Sequence, residues 1–301
     1  MRPALLDWTA DAQGARSGRD LWAFRLLVLA HFATQCFAWW IRPLTRVVGP
    51  TPELSAALGF AFAALAVLAS TRRFGQWAGV AGFALAAFVV VRLFPTTANH
   101  TFLAALALGL FALLDPDRDE EAGLLVRSLR WVTAIVFFWA GAQKALNGMY
   151  FGGEFLAWMV AHGSAHWADV FGWMLPAEEL ARLAALPRFG PGAGPYRPDS
   201  LLFVLAANAV WVAEIALAAG LLWRTTRAAA ALGAIGLVLT IQLAPNEWMF
   251  ALLYVQFLLL SVPGEWNRRC LPVLAAAYAY LLLALAGAPG HGFLVKASGQ
   301  L

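Results

Sequence analysis

Lys144 closes a bilayer-length apolar stretch, near 126–146, that ends in Phe137-Phe138-Trp139-Ala140-Gly141-Ala142-Gln143-Lys144-Ala145-Leu146, and an amine in that position has two possible chemistries. It can lay its stem along lipid and hold its ammonium at the interface. Alternatively, an amine facing an apolar cavity loses hydration, the ammonium form is disfavoured, and the neutral amine serves as a base. His100 opens the preceding apolar stretch within Thr96-Thr97-Ala98-Asn99-His100-Thr101. Antiparallel consecutive spans would bring it to the same membrane face as Lys144, where one cavity could hold both. Asn99 is a good helix N-cap residue, and Asn99-His100-Thr101 also has the form of a glycosylation sequon, at a depth that would make it poorly accessible. Glu214 lies near the middle of another apolar stretch, Asn208-Ala209-Val210-Trp211-Val212-Ala213-Glu214-Ile215. A carboxylate there must face the bundle interior, protonated or paired, with Lys144, Arg92 or His31 as partners; structural pairing and a proton relay are both open. His162 and His166 are spaced i, i+4 like metal ligands on one helix face. Gly163 and Ser164 between them are poor helix formers, and only Glu154 or Asp169 could add a third ligand. Interfacial packing and hydrogen bonding are therefore expected of the two histidines, and no metal.

The elements that position these groups follow from composition. Of 301 residues, 61% are hydrophobic and 13% charged, and the mean hydropathy is +0.69. This describes an all-α, polytopic membrane protein. A spanning helix needs about 20 apolar residues, and helices satisfy their own backbone groups in hydrocarbon. About nine such stretches are present, near 21–41, 53–70, 76–94, 99–115, 126–146, 200–223, 226–244, 247–263 and 270–287. An amphipathic, mixed-charge leader over 1–20 and the absence of a small-residue cleavage site after Trp40 argue against a cleaved signal. The net charge of +4 resides in basic residues set singly or in pairs between the stretches, which excludes a nucleic-acid partner. Arg16 and Arg19, Arg72 and Arg73, Arg127 and Arg130, Arg224 and Arg227, and Arg268 and Arg269 fall on one side if the spans alternate. That side is expected to be cytoplasmic, with the N-terminus inside and the connection from Leu146 to Asp199 outside. Cys36 and Cys270 come near opposite faces in this topology and are expected to pack as small apolar residues, not to form a disulfide.

The 147–199 connection keeps amphipathic character in Gly153 to Val160 and in Trp167 to Leu175, each too short to span. Trp-rich interfacial or re-entrant helices between the fifth and sixth spans fit both. Pro187 to Pro198, with four prolines and three glycines, reads as a loop. No soluble domain is long enough to fold alone, so one bundle over 1–301 is expected.

The order of Asn99-His100-Thr101-Phe102-Leu103, Ala140-Gly141-Ala142-Gln143-Lys144-Ala145, the surroundings of Glu214, and Pro263-Gly264-Glu265-Trp266-Asn267-Arg268 resembles the horizontally transferred transmembrane (HTTM) domain family. Its best-known members are the vitamin K-dependent gamma-glutamyl carboxylases, and the resemblance covers roughly residues 20 to 270. It implies that Lys144 is the base that deprotonates reduced vitamin K, or a menaquinol-type hydroquinone, and that His100 orients the quinone oxygen. In that chemistry oxygenation of the hydroquinone to an epoxide by O2 drives removal of a gamma proton from a peptidyl glutamate, so that CO2 can add. Asn99, Gln143, Trp139, Glu214 and Glu247 complete the implied cofactor-binding set. Two positions depart from the family pattern: Gln143 stands where the family has its first lysine, and Asn246-Glu247-Trp248-Met249-Phe250 replaces a Gly-Met-Phe-Pro entrance. The family's large luminal portion has no counterpart after Cys270, so the expectation is the membrane module, an outward-facing cavity for an isoprenoid quinone. The partners expected are membrane lipid and an exported peptide, in a bacterial cytoplasmic membrane. Other family members accompany secreted peptide toxins, so a non-catalytic accessory role in peptide maturation is the alternative. A solute carrier is disfavoured by the lack of an inverted repeat.

Overall fold

A computed structural model describes residues 18–41, 50–95, 98–163, 165–245 and 247–287. The leader over 1–17, and with it Arg16, lies outside the described residues, as do Thr96, Thr97, Ser164, Asn246 and everything after Gly287. Among the described residues the regular structure is entirely helical: α1 Gly18–Ile41, α2 Pro52–Ala69, α3 Gly75–Leu93, α4 Asn99–Leu113, α5 Asp119–Asn147, α6 Glu154–His162, α7 Ala165–Phe171, α8 Ala177–Ala184, α9 Leu201–Leu222, α10 Arg227–Gln242, α11 Trp248–Leu259 and α12 Gly264–Leu285.

A helix occupies most of each of the nine apolar stretches, but five are long and apolar enough to cross a membrane: α1, α2, α3, α5 and α9. Three of the other four, α4, α10 and α11, are shorter than their apolar stretches because their ends are set by local chemistry, while the apolar part of α12 begins only at Arg269. Asp115-Pro116 follows α4, and α11 is bounded by Pro245 before it and by a turn ending at Pro263 after it. At 1.5 Å per residue, the 12 residues of α11 reach only about 18 Å. Long apolar helices of this number are compatible with a multi-pass integral membrane protein.

The chain forms two compact units, residues 1–131 with 248–301, and residues 132–247; the boundary falls inside α5. In the first unit α1 is the inner helix, with 72% of its apolar window buried, and α2, α3, α4, α11 and α12 pack around it. Every residue of α11 from Ala251 to Leu259 is buried, so this helix packs among protein neighbours. The outer helices show the reverse of a water-soluble surface: Phe60, Val67, Trp77 and Val91 are all more than half exposed. Cys36 is buried, Cys270 is partly buried, and both are free.

In the second unit α9 and α10 pack together, and α6, α7 and α8 gather over a core of Leu156, Ala157, Val160, Leu175, Leu183, Tyr196, Phe203 and Ala207. The sequence reading anticipated the first two of these short helices and missed α8. Its start was nonetheless marked, since Pro176 precedes a first turn carrying Glu178 and Glu179, which complement the helix dipole. The buried Glu179 carboxylate caps the far end of the connection by accepting the Asp199 N–H.

Candidate functional site

Lys144 and Glu214 meet in the second unit. Nζ donates to Oε1 at 2.5 Å and to Oε2 at 2.6 Å, with side chains 22% and 7% exposed respectively. Of the three partners considered for Glu214, Lys144 is the one it has. His31 is bonded elsewhere in the first unit, and Arg92 is exposed at the end of α3. One small-residue position, Gly141, brings the pair together. A Cβ added to Gly141 would lie 2.8 Å from Ile215 Cγ1 and 2.9 Å from the Trp211 carbonyl, so α5 and α9 touch backbone to side chain there. Lys144 and Glu214 each lie one turn beyond that contact, on the same helix face as Gly141 and Trp211 respectively.

The segment after α5 closes over the pair. The Tyr150 ring lies 5.9 Å from Lys144 Nζ and stacks on Phe155 at 5.1 Å. Burial raises the Tyr150 phenol above its ordinary range and the Glu214 carboxylate adds to the effect, so the ring remains neutral beside the amine. Asn208, one and a half turns before Glu214 on α9, donates Nδ2 to the carbonyls of Tyr150 and Phe151 and to Val204. Its Oδ1 accepts from Trp211 Nε1 at 2.9 Å. Asn208 thus ties the Tyr150 segment to the helix that carries Glu214. We expect Asn208→Ala to cost about 1–3 kcal/mol through the hydrogen bonds to Phe151 and Trp211 that it removes and to loosen Tyr150, read as faster amide hydrogen exchange over 148–153 with exchange in α9 unchanged. Unchanged exchange in the 148–153 segment would refute the tether.

His100 belongs to the first unit, in a second buried polar cluster. Gln35 Nε2 lies 3.0 Å from His100 Nε2 and donates to Thr101 Oγ1 at 2.8 Å. The His100 ring stands edge-on to His31 at 5.5 Å, and His31 Nδ1 is 3.1 Å from the Tyr278 hydroxyl, which also accepts from Gln256 Nε2. Gln35 Oε1, Gln256 Oε1 and His31 Nε2 are buried with no hydrogen-bond partner among the described residues. Each such atom costs on the order of 1–3 kcal/mol when left unsatisfied in an apolar interior. They therefore mark a place where a protic group would be bound.

The remaining sequence-predicted positions fall differently. Asn99 is the first helical residue of α4 and is exposed; the cap position is Ala98, which has no side-chain oxygen, so the expected Asn99 cap does not form. Trp139 and Gln143 are exposed on α5, on a different face from Lys144, and Glu247 is exposed before α11 with its N–H bonded to Gln242 Oε1 at 3.0 Å. The i, i+4 histidines do not share a helix, because α6 ends at His162 and α7 begins at Ala165. Gly163 breaks the run, and His162 instead faces the Tyr196 hydroxyl at 2.9 Å. Among the described residues no three His, Cys, Asp or Glu side chains group as a metal site.

Tyr150, Asn208, Gln35, Tyr278 and Gln256 were not singled out from sequence. Gln35 had a signal, since it lies four residues after His31 on one face of α1. Tyr278 and Gln256 are aromatic or amide residues inside apolar runs that meet across 22 residues, and Asn208 reaches Tyr150 and Phe151 across more than fifty. Comparison with protein-family models, characterised proteins and solved structures gives no match.

Proposed function

We propose that this is a multi-pass protein of a bacterial cytoplasmic membrane, with about nine spans and its N-terminus inside, that binds a reduced isoprenoid quinone and uses Lys144 as the base in a vitamin K carboxylase-like reaction. The observation that carries this reading is the Lys144–Glu214 pair: two ionisable groups on two of the membrane-length helices, in bidentate contact, beside a neutral tyrosine. Ionisable groups so placed are costly and mark functional sites by default. An ammonium has three donors, and Glu214 occupies two of them. The third, on a side chain that is 22% exposed, is available to an oxygen of a bound headgroup. A carboxylate in direct contact also gives the amine somewhere to pass its proton, which is what such a base requires.

The cluster around His100 fits the same ligand chemistry, since Gln35 Oε1 and Gln256 Oε1 are acceptors without a donor and hydroquinone hydroxyls are donors. When bound, the hydroquinone would supply the electrons that reduce O2, giving epoxide and water, coupled to addition of CO2 to a glutamyl carbon or to another modification of an exported peptide. The resemblance to the HTTM family supports this assignment of roles to Lys144 and His100.

The test is incubation of purified protein with reduced naphthoquinone, O2 and bicarbonate, with epoxide read by mass spectrometry. Lys144→Ala is expected to lower epoxide formation by at least about 100-fold, the lower part of the range for a positioned general base, while helical circular dichroism is retained. Absence of lysine-dependent epoxide would overturn the enzymatic reading and favour the accessory role in peptide maturation, for which the pair would serve only to lock α5 to α9.

A further inference from the structure

The second unit contains a cavity of about 470 Å3, within the range of small-molecule sites, whose walls include Phe155, Trp158, Arg188, Pro195 and Tyr196. Three of these residues are aromatic and one is a cation. The Arg188 guanidinium lies 5.6 Å from the Trp158 ring and 5.2 Å from the Phe189 ring, so aromatic side chains hold it by cation–π contact. It makes no ion pair or side-chain hydrogen bond among the described residues, so its planar fork of donors is unused.

The backbone that carries Arg188 is pinned on both sides. Trp158 Nε1 donates to the Arg188 carbonyl at 3.4 Å, and the Tyr196 hydroxyl donates to the Pro187 carbonyl at 2.6 Å. Because Tyr196 spends its proton on Pro187, the 2.9 Å contact with His162 requires Nε2–H of the histidine to donate to the tyrosine oxygen. His162, Tyr196 and Trp158 thus fix the backbone from which the exposed Arg188 side chain reaches the aromatic-walled cavity. A second charge in the wall is already neutralised, since Glu154 accepts from Arg197 Nε at 2.8 Å.

We infer that this cavity is a binding site for a monocarboxylate carried on an apolar or aromatic body, with Arg188 as the bidentate carboxylate receptor and Phe155, Trp158 and Tyr196 as the apolar walls. A single guanidinium fork matches one carboxylate in plane. Arg188 is the one cation among the residues that line the cavity, so a single negative charge is matched and the second charge of a phosphate monoester is not. The site does not depend on the chemistry assigned to Lys144.

The test uses the full chain in nanodiscs of neutral lipid, with N-acetyl-phenylalanine and N-acetyl-phenylalaninamide as probes that share a body and differ in charge. The acid is expected to bind about tenfold more tightly than the amide, as one charge-assisted bidentate contact would give. Arg188→Gln should abolish that preference and leave amide binding unchanged, Arg188→Lys should retain part of it, and Trp158→Ala should weaken both probes. Equal binding of acid and amide, or a preference that survives Arg188→Gln, would overturn the assignment. Loss of the preference in nanodiscs of anionic phospholipid would also overturn it, by showing a lipid-headgroup site.

Discussion

Breaking the Lys144–Glu214 pair one side at a time is expected to destabilise the protein by about 3 kcal/mol for each single variant, while Lys144→Met with Glu214→Leu recovers most of the loss. The physical reason is the asymmetry of buried pairs. Their formation offsets a large desolvation cost, so the pair adds little net stability, yet removing one partner leaves the other charge unsatisfied. The lower end of the usual range applies because Lys144 is 22% exposed and can reach water, whereas Glu214 at 7% cannot. Lys144→Met should therefore be the worse single change, since it strands the deeper group. A double-mutant cycle of unfolding in mixed micelles would measure this, with an expected coupling of about 4–5 kcal/mol, since two losses of about 3 kcal/mol collapse to a residual of about 1–2 in the double variant, a value above the usual range for residues in contact. Additive single effects would mean that the two side chains do not pair. The same variants bear on the proposed reaction. Glu214→Gln retains the volume and an acceptor but removes the proton-accepting carboxylate, so a base role for the pair requires turnover to fall even where folding is retained.

Much of this arrangement could be read from the residues alone. The nine apolar runs coincide with helices because apolar length is a local property, and local properties survive folding. Glu214 could be placed in the interior and given three partners because the cost of a carboxylate in hydrocarbon does not depend on which partner it finds. Which partner it has could not be read, since pairing across seventy residues depends on how helices cross. Gly141 held the missing information, but a glycine inside an apolar helix does not say which helix approaches it. Five of the nine apolar runs carry helices of membrane length and apolarity; around α11 the apolar composition continues past Pro245 and Pro263, which halt the backbone. Apolar composition cannot separate a helix that faces lipid from one like α11, which is surrounded by protein.

The polar residues inside apolar helices were the hardest to interpret. His100 was paired in sequence with Lys144 on the ground that consecutive spans end on one face. Its partners within its own unit are Gln35 and His31 of α1, and Lys144 has Glu214. Ala98, with no cap to offer, takes the position that suited Asn99, because cap assignment moves with a one-residue shift in helix start. The 147–199 connection shows the same limit. Its amphipathic turns were visible, but Tyr196, thirty-four residues from His162, meets it only once the loop closes.

Gly141→Val is expected to have the second large effect, and to act on the pair without touching either charge. A Cβ alone would come within 2.8 Å of Ile215 Cγ1, 2.9 Å of the Trp211 carbonyl and 3.1 Å of Glu214 Cβ. The first of these contacts could be relieved by a rotamer change at Ile215; the second cannot, because it is with backbone. α5 and α9 must therefore move apart, and overpacking of this kind costs about 1–3 kcal/mol. The separation falls one turn from Lys144 and Glu214, where contacts of 2.5 and 2.6 Å have no slack, so the bidentate geometry should be lost before the fold is. The cycle described above, repeated on a Gly141→Val background, should return a coupling energy reduced by at least half, and Gly141→Ala should give an intermediate value. If the coupling is unchanged, the helices have room at Gly141 that the close approach denies, and the pair is not held by the crossing. If coupling falls while Lys144-dependent epoxide formation persists, the pair positions the helices and the amine works without its carboxylate. If both fall together, Gly141 is the residue through which the helix crossing sets the chemistry.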